Sequence, residues 1–296
     1  MSATPESLRH KIGSANDLQA VVRTMKALAA SNIGQYEQSV RALADYYRTV
    51  ELGLGACLRD LGPTALIADD TAPEPVATNA IVFGSDQGLV GPFNDVIADY
   101  AIKTLGGLPG KPQVWAIGER VRGRLADAGL ELAGVFAAPN SVRAISALVG
   151  QIQVESEARR AKGGDSAVWV FHNRPRSGAL YEPVGQRLLP LDATWRRQVT
   201  GVAWPTKTLP ELMEDGVATL RALVREYLFI SLFRACAESL ASEHASRLAA
   251  MQRADKNIKD LLEDLQATSR RLRQSSIDEE LFDVVAGFEA LDGSRR

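Results

Sequence analysis

Between Val217 and Gly287 the chain contains neither proline nor glycine, and apolar residues return every three or four positions over that whole distance. Val217, Leu220, Val224, Tyr227, Leu240, His244, Met251, Ile258, Leu261, Leu265, Leu272, Leu281, Val284 and Phe288 mark the stripe, whose spacing is that of one helix face. At 1.5 Å per residue a helix from about Thr208 to Leu291 is roughly 100 Å or more long. No globular core buries a stripe of that length, so part of it must lie in a coiled coil or inside another protein. Its start is expected at Thr208-Leu209-Pro210-Glu211, where a glutamate three residues after a threonine resembles a capping box.

A second long helix is expected at the other end of the chain. Thr4 is placed as its N-cap, with Pro5 at the first helical position and Glu6 in the first turn. Leu8, Ile12, Ala15, Leu18, Val22, Met25, Ala29, Ile33, Tyr36, Val40, Leu43, Tyr47, Val50 and Leu54 follow at alternating threes and fours, close to the repeat that drives left-handed supercoiling. The helix is expected to stop near Gly53, Gly55 or Leu61, because Gly62 and Pro63 break it and the stretch from Thr64 to Asn79 reads as loop. Ala15 and Ala29 leave room for a partner helix, and the C-terminal helix is the obvious one.

Between the two helices the pattern changes to short β-branched or aromatic runs alternating with amphipathic segments, which is an α/β reading. Strands are expected at 80–86, 113–118, 132–139 and around Val168 to Phe171, with a further strand at 179–191 interrupted at Pro183. Helices are expected at Asn94 to Leu105, Glu119 to Ala128, and from a Ser141 cap to about Lys162. The chain thus divides into an N-terminal helix (1–62), an α/β domain (63–207) and a long C-terminal helix (208–296), the domain being inserted between the arms of a helical hairpin.

Composition narrows the function classes. With 296 residues, 46% of them hydrophobic, the chain can build a core. A formal net charge of −2 gives no electrostatic case for nucleic acid. Cys57 and Cys236 are too few and too far apart for a disulfide framework, and His10, His172 and His244 are scattered over different segments, so neither set suggests a metal site. The polar N-terminus lacks the apolar core of a signal peptide, and no run approaches 18 apolar residues. A cytoplasmic protein, or one held at a membrane by partners, is expected.

The most tempting chemical motif is Gly84-Ser85-Asp86-Gln87-Gly88-Leu89-Val90-Gly91, a glycine-rich turn between a strand and a helix. It has neither the lysine of a P-loop nor the glycine order of a dinucleotide site, so it reads as a tight turn in which Asp86 bonds nearby backbone amides. The nucleotide-dependent enzyme is the weaker alternative. Arg270, Arg271, Arg273 and Gln274 form a basic cluster near the end of the long helix. Such a run is ordinarily a solvated face, but here the apolar stripe continues past it, and the planar fork of arginine suits a registered contact with a partner carboxylate.

Three stretches resemble the γ subunit of rotary F-type ATP synthases. The first, LRHKIGSANDLQAVVRTMKALAAS, keeps Lys11-Ile12, Ser14, Gln19, Met25 and Ala29-Ala30-Ser31. The second, SDQGLVGPFN, keeps Asp86, Gly88-Leu89, Gly91 and Asn94, the signature turn of the α/β domain. The third, ASEHASRLAAMQRADKN with RQSSIDEELFDVVAGFEAL, keeps Ser242-Glu243, Arg247, Met251, Asn257, Arg273-Gln274, Ile277, Glu280-Leu281, Gly287 and Ala290-Leu291. The chain departs from the family at Ala20, Asn32, Val90, Ser269-Arg270 and Asp278, which points toward the divergent form of alternative, sodium-type F-ATPase operons.

The resemblance implies an antiparallel coiled coil of the two terminal helices with an inserted Rossmann-like α/β domain. It implies a non-catalytic rotor that needs no cofactor and couples ion flow to ATP synthesis or hydrolysis on the β subunits. The implied partners are the α and β subunits, the ε subunit and the c-ring, with no nucleic acid and with membrane contact only through partners. The implied location is peripheral, at the cytoplasmic face of the bacterial inner membrane. Arg273 and Gln274 would hydrogen-bond a β loop, Ile277 and Glu280 would extend that contact, and Arg23 and Lys26 would face β lower on the first helix. On this reading the helix up to about Leu265 belongs to the intrachain coiled coil, and Arg273 to Leu291 to a bearing surface. A structural tether carrying a small α/β binding domain is the alternative.

Overall fold

The computed structural model describes residues 4–62, 77–163, 166–177, 179–208, 210–212 and 215–293. The expected terminator Pro63 and most of the loop after it, Leu209 of the capping motif, and the side chains of Phe288, Ala290 and Leu291 lie outside the described residues. The chain divides into two compact units, one of residues 1–28 and 248–296 and the other of residues 29–247. Two helices run through both: α1, Pro5–Asp60, and α6, Gly216–Gly293.

In the first unit the helices meet along a seam. Ala15 and Val22 of α1 are buried with Met251, Ile258 and Leu262 of α6, flanked by Ile12, Met25, Ala250 and Ala254. As far as Val50, the buried positions of α1 (Leu8, Ala15, Val22, Ala29, Tyr36, Val50) fall on one seven-residue repeat, which is the arithmetic of a coiled coil. That repeat corrects the expected stripe in two places. Leu18 and Leu261 are half exposed at 54% and 50%, because the position four residues after Ala15 is Gln19 and the position four after Ile258 is Leu262.

The second unit is built on a five-stranded sheet in the order β3-β2-β1-β4-β5, from β1 (Ala77–Phe83), β2 (Gln113–Ile117), β3 (Glu131–Phe136), β4 (Ser166–Arg176) and β5 (Ala179–Leu189). All neighbours are parallel except β4 and β5, which form a hairpin. Alternation along β1 decides the layers. Ala80 and Val82 face α2 (Phe93–Leu105) and α3 (Glu119–Asp127) through Ile97, Ala101, Val121 and Leu125. Ile81 and Phe83 face α4 (Val142–Gly163) through Ile145 and Val149, and α6 through Leu232, Phe233 and Cys236.

Three expectations are corrected here. The last strand is not interrupted at Pro183, which pairs in register with Asn173; β5 is at the sheet edge, where a missing N–H is tolerated. The long helix starts at Gly216 and not at Thr208, because the Asp215 carboxylate accepts from the Val217 amide at 3.0 Å and fixes the first turn there. A short helix, α5 (Ala193–Thr200), was not anticipated; Asp192 caps it by accepting from the Trp195 amide at 2.8 Å.

The stretch of α6 against the sheet carries polar groups that are buried and paired. Glu238 accepts from His172 Nε2 at 2.9 Å and from Arg234 at 2.7 Å. Burial opposes its ionisation, but the His172 and Arg234 contacts outweigh burial and hold its pKa below the usual carboxylate value. One turn on, Arg247 donates to Glu243 at 2.6 Å, each side chain being 8% exposed. Burial nonetheless pushes the Glu243 carboxyl up, against the pull of Arg247. Ser242 donates to the Asn173 carbonyl at 3.0 Å and Ser246 to the Val90 carbonyl, which ties α6 to β4 and to the turn beyond β1.

His244 stacks on Tyr36 with centroids 5.6 Å apart. Its Nδ1 lies 3.3 Å from Arg247 Nη1, a group that only donates, so the ring is neutral at that nitrogen. Burial first, and Arg247 second, lower its pKa from the ordinary 6.5 to about 4. The unfolded chain therefore takes up the proton first. The stability His244 allows is complete above its ordinary pKa and is lost as pH falls toward the folded value. Denaturant midpoints measured from pH 7 to pH 4 should fall less steeply for His244→Gln than for the parent chain. Arg247→Ala, which leaves the Glu243 carboxylate buried without its partner, should cost about 3–5 kcal/mol in the same measurement.

Candidate functional site

The turn after β1 is held from inside. An added Cβ at Gly84 would stand 2.4 Å from Val121 Cβ, so only glycine fits. Asn94, at the start of α2, accepts from the Ser85 amide and donates to the Ser85 hydroxyl, both at 2.9 Å. Gly91 has φ +57°, and Leu89, 60% exposed, has φ +63°. At Gly88 an added Cβ would meet only Arg120 at 3.7 Å, and nothing within the chain requires glycine there.

Asp86 settles what the turn does. Its Oδ1 accepts from the Glu119 amide at the first turn of α3, and its Oδ2 from the Ala138 amide beyond β3, each at 2.9 Å. A helix N-terminus is where a bound phosphate gains most from backbone N–H groups. Here a carboxylate already occupies the start of α3 and would repel such an anion. The turn is a brace between three elements. Among the described residues no group of three or more His, Cys, Asp or Glu is placed to hold a metal, and no helix is long and apolar enough to cross a membrane.

Arg23 and Lys26 are brought together by a residue the sequence reading passed over. Asp255 of α6 lies 3.5 Å from Arg23 Nε and 3.5 Å from Lys26 Nζ, and accepts from Gln19 Nε2 at 3.3 Å. The side chains of Arg23 and Lys26 remain 64% and 40% exposed, against 22% for Asp255. Ion pairs this open are worth roughly 0.2–1 kcal/mol each, while burying one aliphatic side chain is worth about 1.5–3 kcal/mol. The apolar layers therefore hold the seam, and the ion pairs determine what its surface presents.

Arg273, Gln274, Ile277 and Glu280 form a separate group on α6. All four are exposed, with no side-chain hydrogen bond or ion pair among the described residues. Every residue from Arg273 to Val285 is exposed, including Ile277 at 55%, Leu281 at 62%, Phe282 at 72% and Val284 at 69%. Solvent-facing apolar residues in such a run are a surface of the kind that ordinarily packs against another molecule. Sequence reasoning missed the buried anchor residues Glu238, Glu243 and Arg247 as a set; the four-residue spacings of Arg234 to Glu238 and of Glu243 to Arg247 look like a solvated ion-pair face until the sheet is seen to cover it.

The sequence profile of a family described as ATP synthase matches residues 4–291. The ATP synthase gamma chain of Anaeromyxobacter sp. (strain Fw109-5) is 28% identical over 289 residues, covering 96% of this chain and 98% of its own length. That of Leifsonia xyli subsp. xyli (strain CTCB07) is 29% identical over 307 residues, covering 99% and 100%. Among solved structures, a chain of the Euglena gracilis mitochondrial ATP synthase (OSCP/F1/c-ring, rotational state 3) aligns with a TM-score of 0.66 at 13% identity, over 99% of this chain and 96% of that one. A chain from the central stalk/c-ring of the Tetrahymena thermophila mitochondrial enzyme aligns with a TM-score of 0.56 at 18% identity, over 79% and 99%. These two likenesses establish the fold, two long helices about an α/β sheet domain. On the profile match and the full-length relatives together, the chain belongs to the ATP synthase family, as one of its gamma chains.

Proposed function

We propose that this chain is the central-stalk rotor of an F-type ATP synthase, carrying torque between a membrane c-ring and catalytic β subunits. The observation that carries the reading is the end of α6, where Arg273 to Val285 expose an apolar face with no partner among the described residues. Full-length likeness to gamma chains supports it, as do neighbours described as central stalk and c-ring. On this reading catalysis resides on β and this chain binds no cofactor. The helices α1 and α6 form the shaft, and the sheet with its flanking helices α2 to α4 forms the foot that meets the ε subunit and the c-ring. The protein sits peripherally at the cytoplasmic face of the bacterial inner membrane, attached through its partners. The departures at Ala20, Asn32, Val90, Ser269-Arg270 and Asp278 support reading it as the divergent form of an alternative, sodium-type operon.

Torque follows from asymmetry. A single shaft makes different contacts with each surrounding β subunit, so its angle biases which site is open, and each contact shifts an equilibrium only by its differential strength. Smooth apolar contact with a few polar catches suits rotation, because many strong pairs would make deep angular traps. We assign Arg273 and Gln274 as one catch, extended by Ile277 and Glu280, and Arg23 with Lys26 as another. In a reconstituted complex, Arg273→Ala or Gln274→Ala should lower ATP turnover by about tenfold, the size of one charge-assisted hydrogen bond, with assembly intact on a sizing column. Wild-type turnover in both variants would remove these positions from the mechanism.

A further inference from the structure

Gln19 and Lys26 stand seven residues apart on α1, in places where the same repeat otherwise puts Ile12, Ile33 and Val40. Asp255 holds on α6 the place that Leu248 and Leu262 hold seven residues before and after it. Three polar side chains thus interrupt the apolar seam, Gln19 and Lys26 each meeting Asp255, with Arg23 joining from the rim. A carboxylate at a seam position costs packing that a leucine would supply. What it provides is charge: two cations and one anion leave the cluster at +1, where the cations alone would present +2.

We propose that Asp255 is an internal counter-ion that weakens the grip of Arg23 and Lys26 on a carboxylate-bearing surface of a partner subunit. The inference rests on reading those two cations as partner contacts. Their exposed parts remain available to an incoming carboxylate, while Asp255, fixed in the shaft beside them, competes for both at every moment. Contact with the partner is then an exchange between ion pairs, and leaving the partner restores the pairs to Asp255. A shaft that must release each contact as it turns gains from that competition, because the contact never carries the full attraction of two bare cations. Asp255 acts through Arg23 and Lys26 and is a positioning residue.

The test is Asp255→Asn in a reconstituted complex, a change that keeps the side chain's shape and a hydrogen-bond acceptor for Gln19. ATP turnover should fall roughly threefold at low salt, the size of one exposed ion pair, and the deficit should vanish as salt screens the partner contact. The same substitution made together with Arg23→Gln and Lys26→Gln should have no salt-dependent effect. Unchanged turnover, or a deficit that salt does not relieve, overturns the counter-ion role; the second result means that Asp255 only shapes the seam. If Arg23→Gln with Lys26→Gln leaves the salt profile of turnover unchanged, the partner-contact reading falls as well. If that pair alters the profile and Asp255→Asn does not, the contact reading stands and the counter-ion inference alone is lost.

Discussion

A helix of 78 residues must find cover for its apolar positions piece by piece, and the rest of the chain is arranged around the cover that α6 receives. From Leu220 to Ala241 the cover comes from the second unit, first from the end of α1 at Val50, Leu54 and Leu58, and then from the sheet layer, where Leu232, Phe233 and Cys236 pack with Ile81, Phe83 and Ile145. At Met251, Ile258 and Leu262 it comes from the start of α1. From Arg273 to Val285 none comes from the described residues of this chain. One element therefore passes through three environments, and each has its own chemistry.

Where α6 is anchored, its carboxylates are buried and paired, Glu238 with His172 and Arg234, Glu243 with Arg247. Such pairs contribute little net stability compared with apolar packing, yet removing one partner is costly; Arg234–Glu238 and Glu243–Arg247 lie within α6, while Glu238–His172 and the Ser242 bond to the Asn173 carbonyl cross to β4 and resist slippage or rotation of the helix against the sheet. Where α6 pairs with α1, the charges lie at the rim and are worth little individually. At the exposed end Arg273, Gln274 and Glu280 have no side-chain partner among the described residues. The gradient from locked to free charge fits a part that must be fixed at one end and must let go at the other.

Much of this was legible in the sequence, and the misses share a cause. The seven-residue repeat of α1 is plain in Leu8, Ala15 and Val22, but hydrophobicity favoured Leu18 over Gln19 at the next seam position. Only the structure reveals that Gln19 is acceptable there, because Asp255, 236 residues away, accepts its amide proton. The role of Asp86 as an acceptor of backbone amides could be read from a glycine-rich turn, whereas its actual donors, Glu119 and Ala138, are set by which loops the sheet order gathers. Pro183 looked like a breaker because edge position is a property of the sheet and not of the strand. The eight residues of α5 are too few for a periodic signal, and the Asp192 cap was its one local sign. Apart from α5, local pattern predicted the element and tertiary pairing decided the exception.

The central claim is that this chain turns. Val154, on α4 of the α/β unit, is 67% exposed, and the two native cysteines, Cys57 and Cys236, are buried, so Val154→Cys offers one attachment point for a probe particle. In a surface-held complex with α and β subunits supplied with ATP, the account predicts sustained rotation of that probe in one direction. A probe that stays still while the same complexes hydrolyse ATP would contradict it.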